Sequence, residues 1–161
     1  MILGMTPFLF VHVLLSLLGI ASGFVVVFFG FLTSRRLGGW TAFFLLTTVV
    51  TSATGFGLPA DHLLPSHVVG VISLVVLAIA LLALYKFGLE RGWRRVYVIT
   101  AVVALYLNFF VLIAQAFAKI PALHVLAPTQ SEPPFVIAQA ATLVFFLVLG
   151  TLAVKRFHPN P

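Results

Sequence analysis

Imidazole can ligate a metal, hold a haem iron or carry a proton near neutral pH, and this chain has five histidines, at positions 12, 62, 67, 124 and 158. Borderline divalent metals accept imidazole nitrogen together with carboxylate oxygen. On that basis His62, His124, Asp61 and Glu132 form a candidate metal set. A b-type haem instead needs two axial imidazoles from facing helices at similar depth, and His12 with His67 is the pair that meets this condition. Measured from helix starts near Pro7 and Pro65 at about 1.5 Å per residue, the two lie roughly 7 and 3 Å into their helices. Gly70 shares the face of His67, and Ser16 and Gly19 continue the face of His12, so these small residues would leave room for a flat macrocycle. No HxxxH or HExxH spacing occurs. Histidines are also ordinary at membrane interfaces, where water, headgroups and loop carbonyls satisfy them.

A second group is polar without being ionisable. Thr47 and Thr51 share one helix face with Thr54, while Asn108 and Gln115 form an amide stripe that continues to Lys119. An Asn in hydrocarbon needs a partner, because an unsatisfied polar group there costs several kcal/mol. The threonine-rich segment or Gln139 is the expected partner. Such groups serve either as glue between helices or as a polar path for an uncharged solute. His12, Ser16, Gly19, Gly23 and Gly30 form a further stripe, and Gly19 to Gly23 is a small-xxx-small element that admits close approach of another helix.

Several chemistries are excluded. There is no cysteine, so disulfide exchange, thiolate metal sites and a Cys nucleophile are absent. No P-loop, GxSxG or full dinucleotide fingerprint around Gly55 and Gly57 is present. Asp61, Glu90 and Glu132 all fall between apolar runs, which disfavours a carboxylate-driven transporter.

The elements that must position these groups follow from composition. Of 161 residues, 62% are hydrophobic and 7% charged, and nine Lys+Arg with three Asp+Glu cannot coat a soluble particle that also hides 17 Phe. Lipid is the solvent. Apolar stretches between the charges predict an all-α integral membrane bundle of five transmembrane helices in a single domain, at 7–33, 40–59, 66–88, 95–119 and 134–155. The first apolar run is too long for a signal-peptide core and is read as a retained helix.

Arg35, Arg36, Lys86, Arg91, Arg94, Arg95, Lys155 and Arg156 fall on one side of this topology, and only Lys119 on the other. The positive-inside rule then puts the N-terminus outside and the C-terminus in the cytoplasm, in a bacterial inner membrane. The net charge of +6 punctuates apolar runs instead of gathering on a solvated face, so the partners expected are the lipid bilayer and a membrane protein or second copy, and not nucleic acid. Four histidines then lie near the outer face, where the loop from Ile120 to Pro133 could act as a lid bringing Glu132 to His12, His67 and His124. The resulting expectation is redox chemistry or ligand binding at an outer-face histidine pocket holding haem b or a divalent metal. Its rivals are a cofactor-free accessory subunit and a small-solute transporter or channel.

Overall fold

A computed structural model of the chain describes residues 6–58 and 65–159. Every regular element among them is helical. Helix α1 (Pro7–Val25) continues into a π-helical segment, Val26–Phe31, and is followed by α2 (Gly38–Gly55). Helix α3 (Pro65–Leu81) likewise runs into a π-helical segment, Leu82–Lys86. Then come α4 (Trp93–Lys119), a short α5 (Pro121–Leu126) and α6 (Pro133–Arg156).

Helix starts have local causes. The Thr6 hydroxyl caps α1 by accepting from the Leu9 N–H at 3.3 Å, and Pro7 occupies the first turn, where its missing N–H costs nothing. Prolines open α5 and α6 in the same way. Helix ends are less regular. In both π segments the closing bonds skip five residues, from Leu32 N–H to the Val27 carbonyl at 3.0 Å, Arg35 N–H to Gly30 at 2.8 Å and Phe87 N–H to Leu82 at 3.0 Å.

Four helices are long and apolar enough to cross a membrane: Pro7–Phe31, Ser66–Lys86, Trp93–Lys119 and Pro133–Arg156. The chain is therefore an integral membrane helical bundle. The remaining long helix, α2, has 18 residues and turns its hydroxyls inward, with Thr41, Thr47, Thr48, Thr51 and Ser52 all buried. It starts two residues before and ends four residues before the boundaries expected from sequence. The stretch expected to be loop after α4 contains α5, whose six residues pack on α4.

Helices α1 and α2 run antiparallel along their whole length. The approach points step in opposite directions along the two chains: Gly57 meets Phe8, Gly55 meets His12, Gly19 meets Thr47 and Thr48, Gly23 meets Phe44 and Gly30 meets Leu37. Helix α3 packs on α2 and α4, while α4 is central and also touches α1, α5 and α6. Helices α1 and α3 do not form a packed pair. Helix α6 packs on α4 and touches the first π segment, and an aromatic joint ties it to α4 and the end of α1, in which Phe146 lies 6.0 Å from Phe24, 5.8 Å from Phe109 and 5.6 Å from Tyr106.

One end of the bundle collects the α1–α2 loop, the α3–α4 loop and the segment after α6, and hence all the described Lys and Arg except Lys119. It is cross-tied. The Arg94 guanidinium donates to the Val154 carbonyl at 3.1 Å and to the Phe157 carbonyl, and the His158 N–H donates to the Ser34 hydroxyl at 2.8 Å.

Candidate functional site

At the end opposite the basic loops, His12 Nδ1 lies 2.9 Å from the Thr54 hydroxyl. The Thr54 oxygen also lies 2.7 Å from the Val50 carbonyl and 3.2 Å from the Thr51 carbonyl, so its one hydrogen goes either to its own helix or to His12, according to the imidazole tautomer. His67 stacks on Phe56 at 5.6 Å with 21° between the rings. Both histidines thus touch the end of α2, which stands between their helices.

The open space expected beside them is filled. The Phe56 ring occupies the niche over Gly70, where an added Cβ would lie 3.2 Å from Phe56 Cζ. Gly19 is likewise enclosed, by the hydroxyls of Thr47 and Thr48 and the amide of Asn108. Reading these small residues as a slot for a macrocycle overlooked neighbours on α2 and α4 that only the packed structure supplies.

The other residues expected at the outer face form no cluster among those described. Asp61 and His62 lie outside the described residues. His124 is exposed on α5. Glu132 turns back on its own loop and accepts from the Thr129 hydroxyl at 2.8 Å, the Thr129 N–H at 3.1 Å and the Ser131 N–H at 3.1 Å. Partial desolvation pushes its carboxyl up, but these hydrogen bonds outweigh that and hold it below its ordinary value. The Gln130 amide ties the same loop to the Ala114 carbonyl at 2.7 Å. The carboxylate expected in a lid is therefore engaged in its own turn. No group of three or more metal-ligating side chains gathers among the described residues.

The amide and hydroxyl stripe divides. Gln115 is exposed, whereas Asn108 is buried beside Thr47 and Thr48 across Gly19, which brings together the Asn and the threonine-rich helix as expected. The hydrogen bond between them is missing. Thr47 bonds its own helix at the Phe43 carbonyl, 2.7 Å away, while Thr48 Oγ1, Thr51 Oγ1, Asn108 Nδ2 and Gln139 Oε1 are buried without partners. Gln139 spends its Nε2 on the Phe110 carbonyl at 3.1 Å, joining α6 to α4.

A half-open concavity lies at the basic end, whose residues entered the sequence analysis only as topology signals. It measures about 270 Å³. Gly30 and Phe31 of the first π segment form one wall, Leu84 and Tyr85 of the second form another, and Tyr97, Leu89 and Phe157 complete it. Arg35 and Arg36 stand at its rim with Leu37 and Thr41. Thr41 is the side-chain hydrogen-bond partner of the buried Tyr97 phenol. Phe31, Tyr97 and Phe157 hold one another, with Phe31 to Phe157 at 4.9 Å and Phe31 to Tyr97 at 5.4 Å edge to face. No carboxylate among the described residues lines this space.

The backbone around the cavity is unusual. π-Helical turns are rare and concentrate at functional sites, and here both of them supply cavity walls. Leu89 in the wall has φ 65°, and Ser34 in the loop of the rim arginines has φ 56°, the left-handed region that costs a non-glycine residue about 1 kcal/mol or more. The signal available in the sequence was the Arg35, Arg36 pair with Tyr85 and Tyr97, but nothing local says that these four converge. Chemically, the site offers two fixed positive charges over apolar and phenolic walls. Compared with known protein families, curated proteins and solved structures, the chain matches none.

Proposed function

We propose that this chain is a five-span inner-membrane protein, N-terminus outside, that binds a small ligand in the cavity at its basic, cytoplasmic end. The observation that carries this reading is the cavity itself, walled by both π segments and by Leu89 at positive φ. The basic residues at this end fit the cytoplasmic side, and α2, antiparallel to α1 along its length, serves as the fifth crossing. Ligand pockets between bundle helices are mostly apolar with a few convergent polar groups, which is the composition found here.

The test is native mass spectrometry of protein purified from its own membrane in mild detergent, beside Leu84→Trp, which fills the cavity from its wall. A bound small molecule that the variant loses is the expected result. A bare polypeptide that total membrane extract does not stabilise would end the proposal.

A second reading keeps redox or ligand chemistry at the outer face, with haem b or a divalent metal on His12 and His67 once the Phe56 ring swings out from between them. The observation in its favour is that both histidines touch the same end of α2, His12 at Thr54 and His67 at Phe56. An absorption spectrum with and without dithionite, with metal analysis on the same sample, tests it. Colourless, metal-free protein from native membrane removes it.

A further inference from the structure

Resting on the cavity reading above, we infer that the ligand is an anionic amphiphile: a phosphate or carboxylate head on an apolar chain. The head belongs between Arg35 and Arg36. Guanidinium forks pair with planar or tetrahedral oxyanions through two parallel hydrogen bonds, and no carboxylate in the cavity wall competes for them. The walls below the rim are the wrong surface for a free inorganic ion. Phe31, Leu37, Leu84 and Phe157 present carbon, and the buried Tyr97 phenol is already engaged with Thr41.

Size gives the same direction. About 270 Å³ falls just below the roughly 300 Å³ at which pockets enclose whole drug-sized ligands, so a chain of any length must leave the cavity. An apolar surface lies on the same turns of α2 as the rim. Gly39, Trp40 and Phe43 form a shallow hollow on the first turns of α2, the same turns whose other face supplies Leu37, Gly38 and Thr41 to the cavity. Trp40 and Phe43 are exposed there, and in a bilayer they lie where the tail of a bound amphiphile rejoins the lipid.

Trp40 also provides the readout, since the chain has two tryptophans and Trp93 is stacked on Phe87 with 4.0 Å between ring centroids. In Trp93→Phe, which keeps that stack aromatic, fluorescence reports Trp40 alone. The detergent-purified variant is titrated with an alkyl phosphate brominated along its chain, with an uncharged alkyl glycoside carrying the same brominated chain, and with inorganic phosphate as competitor. The expected result is saturable quenching by the alkyl phosphate, weakened roughly tenfold by Arg35→Gln or Arg36→Gln and much less by the Lys variants, which keep the charge. The glycoside should give only linear, partition-like quenching.

Equal saturable quenching by the glycoside, unaffected by the arginine variants, would leave the cavity reading standing and overturn the anionic head. Displacement by inorganic phosphate at matching concentration would overturn the amphiphile. Absence of saturable quenching by either brominated compound would remove both readings. A parallel series in nanodiscs, with brominated phosphatidylglycerol against brominated phosphatidylcholine, separates the two sources. Selective quenching by the former supports the inference with a bilayer lipid as ligand, and selective quenching only by the added alkyl phosphate supports it with a soluble amphiphile.

Discussion

Replacing Gly23 with alanine adds one methyl group where three helices meet most closely. The new Cβ would sit 2.6 Å from Leu105 Cδ1, and 2.8 and 3.0 Å from two carbons of the Phe44 ring. Both neighbours are buried, at 0% and 1% exposure, so neither can swing away without displacing others. Contacts between carbon atoms are favourable near 3.5–4.0 Å, so either α1 must withdraw by about 1 Å or both side chains must leave their rotamers. Overpacking of this kind costs about 1–3 kcal/mol, and alanine returns roughly 1 kcal/mol of helix propensity, which leaves a net loss of up to about 2 kcal/mol. The assay is reversible unfolding in mixed detergent and dodecyl sulfate, followed by circular dichroism. Gly39→Ala is the control, because a Cβ there meets nothing within 4 Å, and it should be neutral or slightly stabilising. Leu105→Ala removes one of the clashing atoms, so combining it with Gly23→Ala should recover at least about 0.5 kcal/mol relative to additivity. If Gly23→Ala is more stable than the parent by the full gain seen at Gly39, or if its effect is indifferent to Leu105, the close approach of α1 to α2 and α4 is refuted.

Three further outcomes are expected. Asn108→Leu should leave stability unchanged or raise it by up to about 3 kcal/mol, because its buried Nδ2 gives up no hydrogen bond and its desolvation cost is relieved, and a loss above about 2 kcal/mol in the same unfolding assay would reveal a bridging water or ligand. Arg94→Ala should release the segment after α6, since one guanidinium holds the Val154 and Phe157 carbonyls; hydrogen exchange at 154–158 should quicken, and unchanged exchange would contradict the tie. The Glu132 carboxyl is held below its ordinary value of 4.5, so it supports the 129–132 turn above that pH and loses this effect as pH falls through its lowered value. Exchange at the Thr129 and Ser131 amides should accordingly rise on acidification in the parent but stay high at all pH in Glu132→Gln, and a flat parent profile would count against the turn.

Long apolar helices were readable because charge and proline interrupt them where the structure does, at Arg35 and Arg36, around Lys86 to Arg95, and at Pro121 and Pro133. Their depth of packing was partly readable too, since Gly19 and Gly23 do mark close approach. What the residues could not disclose was who fills the space a glycine leaves. Beside Gly70 it is Phe56, from a helix end some fourteen residues earlier, and that single ring takes the volume on which a haem slot beside His67 relied. Helix α5 escaped notice because six residues between prolines have little helical signal of their own and depend on packing against α4. The cavity was hidden for another reason. Arg35 and Arg36 already had an explanation as topology markers, and the concavity above them exists only once Phe31, Leu84, Tyr97 and Phe157 arrive from four parts of the chain.

The two π segments bear on how freely the basic end can vary. Each turn of wider backbone accommodates about one residue more than an α-turn, so the residues beyond Val26 and beyond Leu82 are phased independently of the helix before them. Deleting one residue inside Val26–Phe31 would therefore let α-geometry resume with the residues after it still in phase, whereas a deletion in the regular turns before it would rotate the end of the helix by about 100° and carry Arg35 away from the cavity. The basic rim is in this sense buffered from the helices that carry it: the wider turns hold the one residue of slack, and Val26, Val27 and Phe31, buried in the core, are the side chains that would feel its removal.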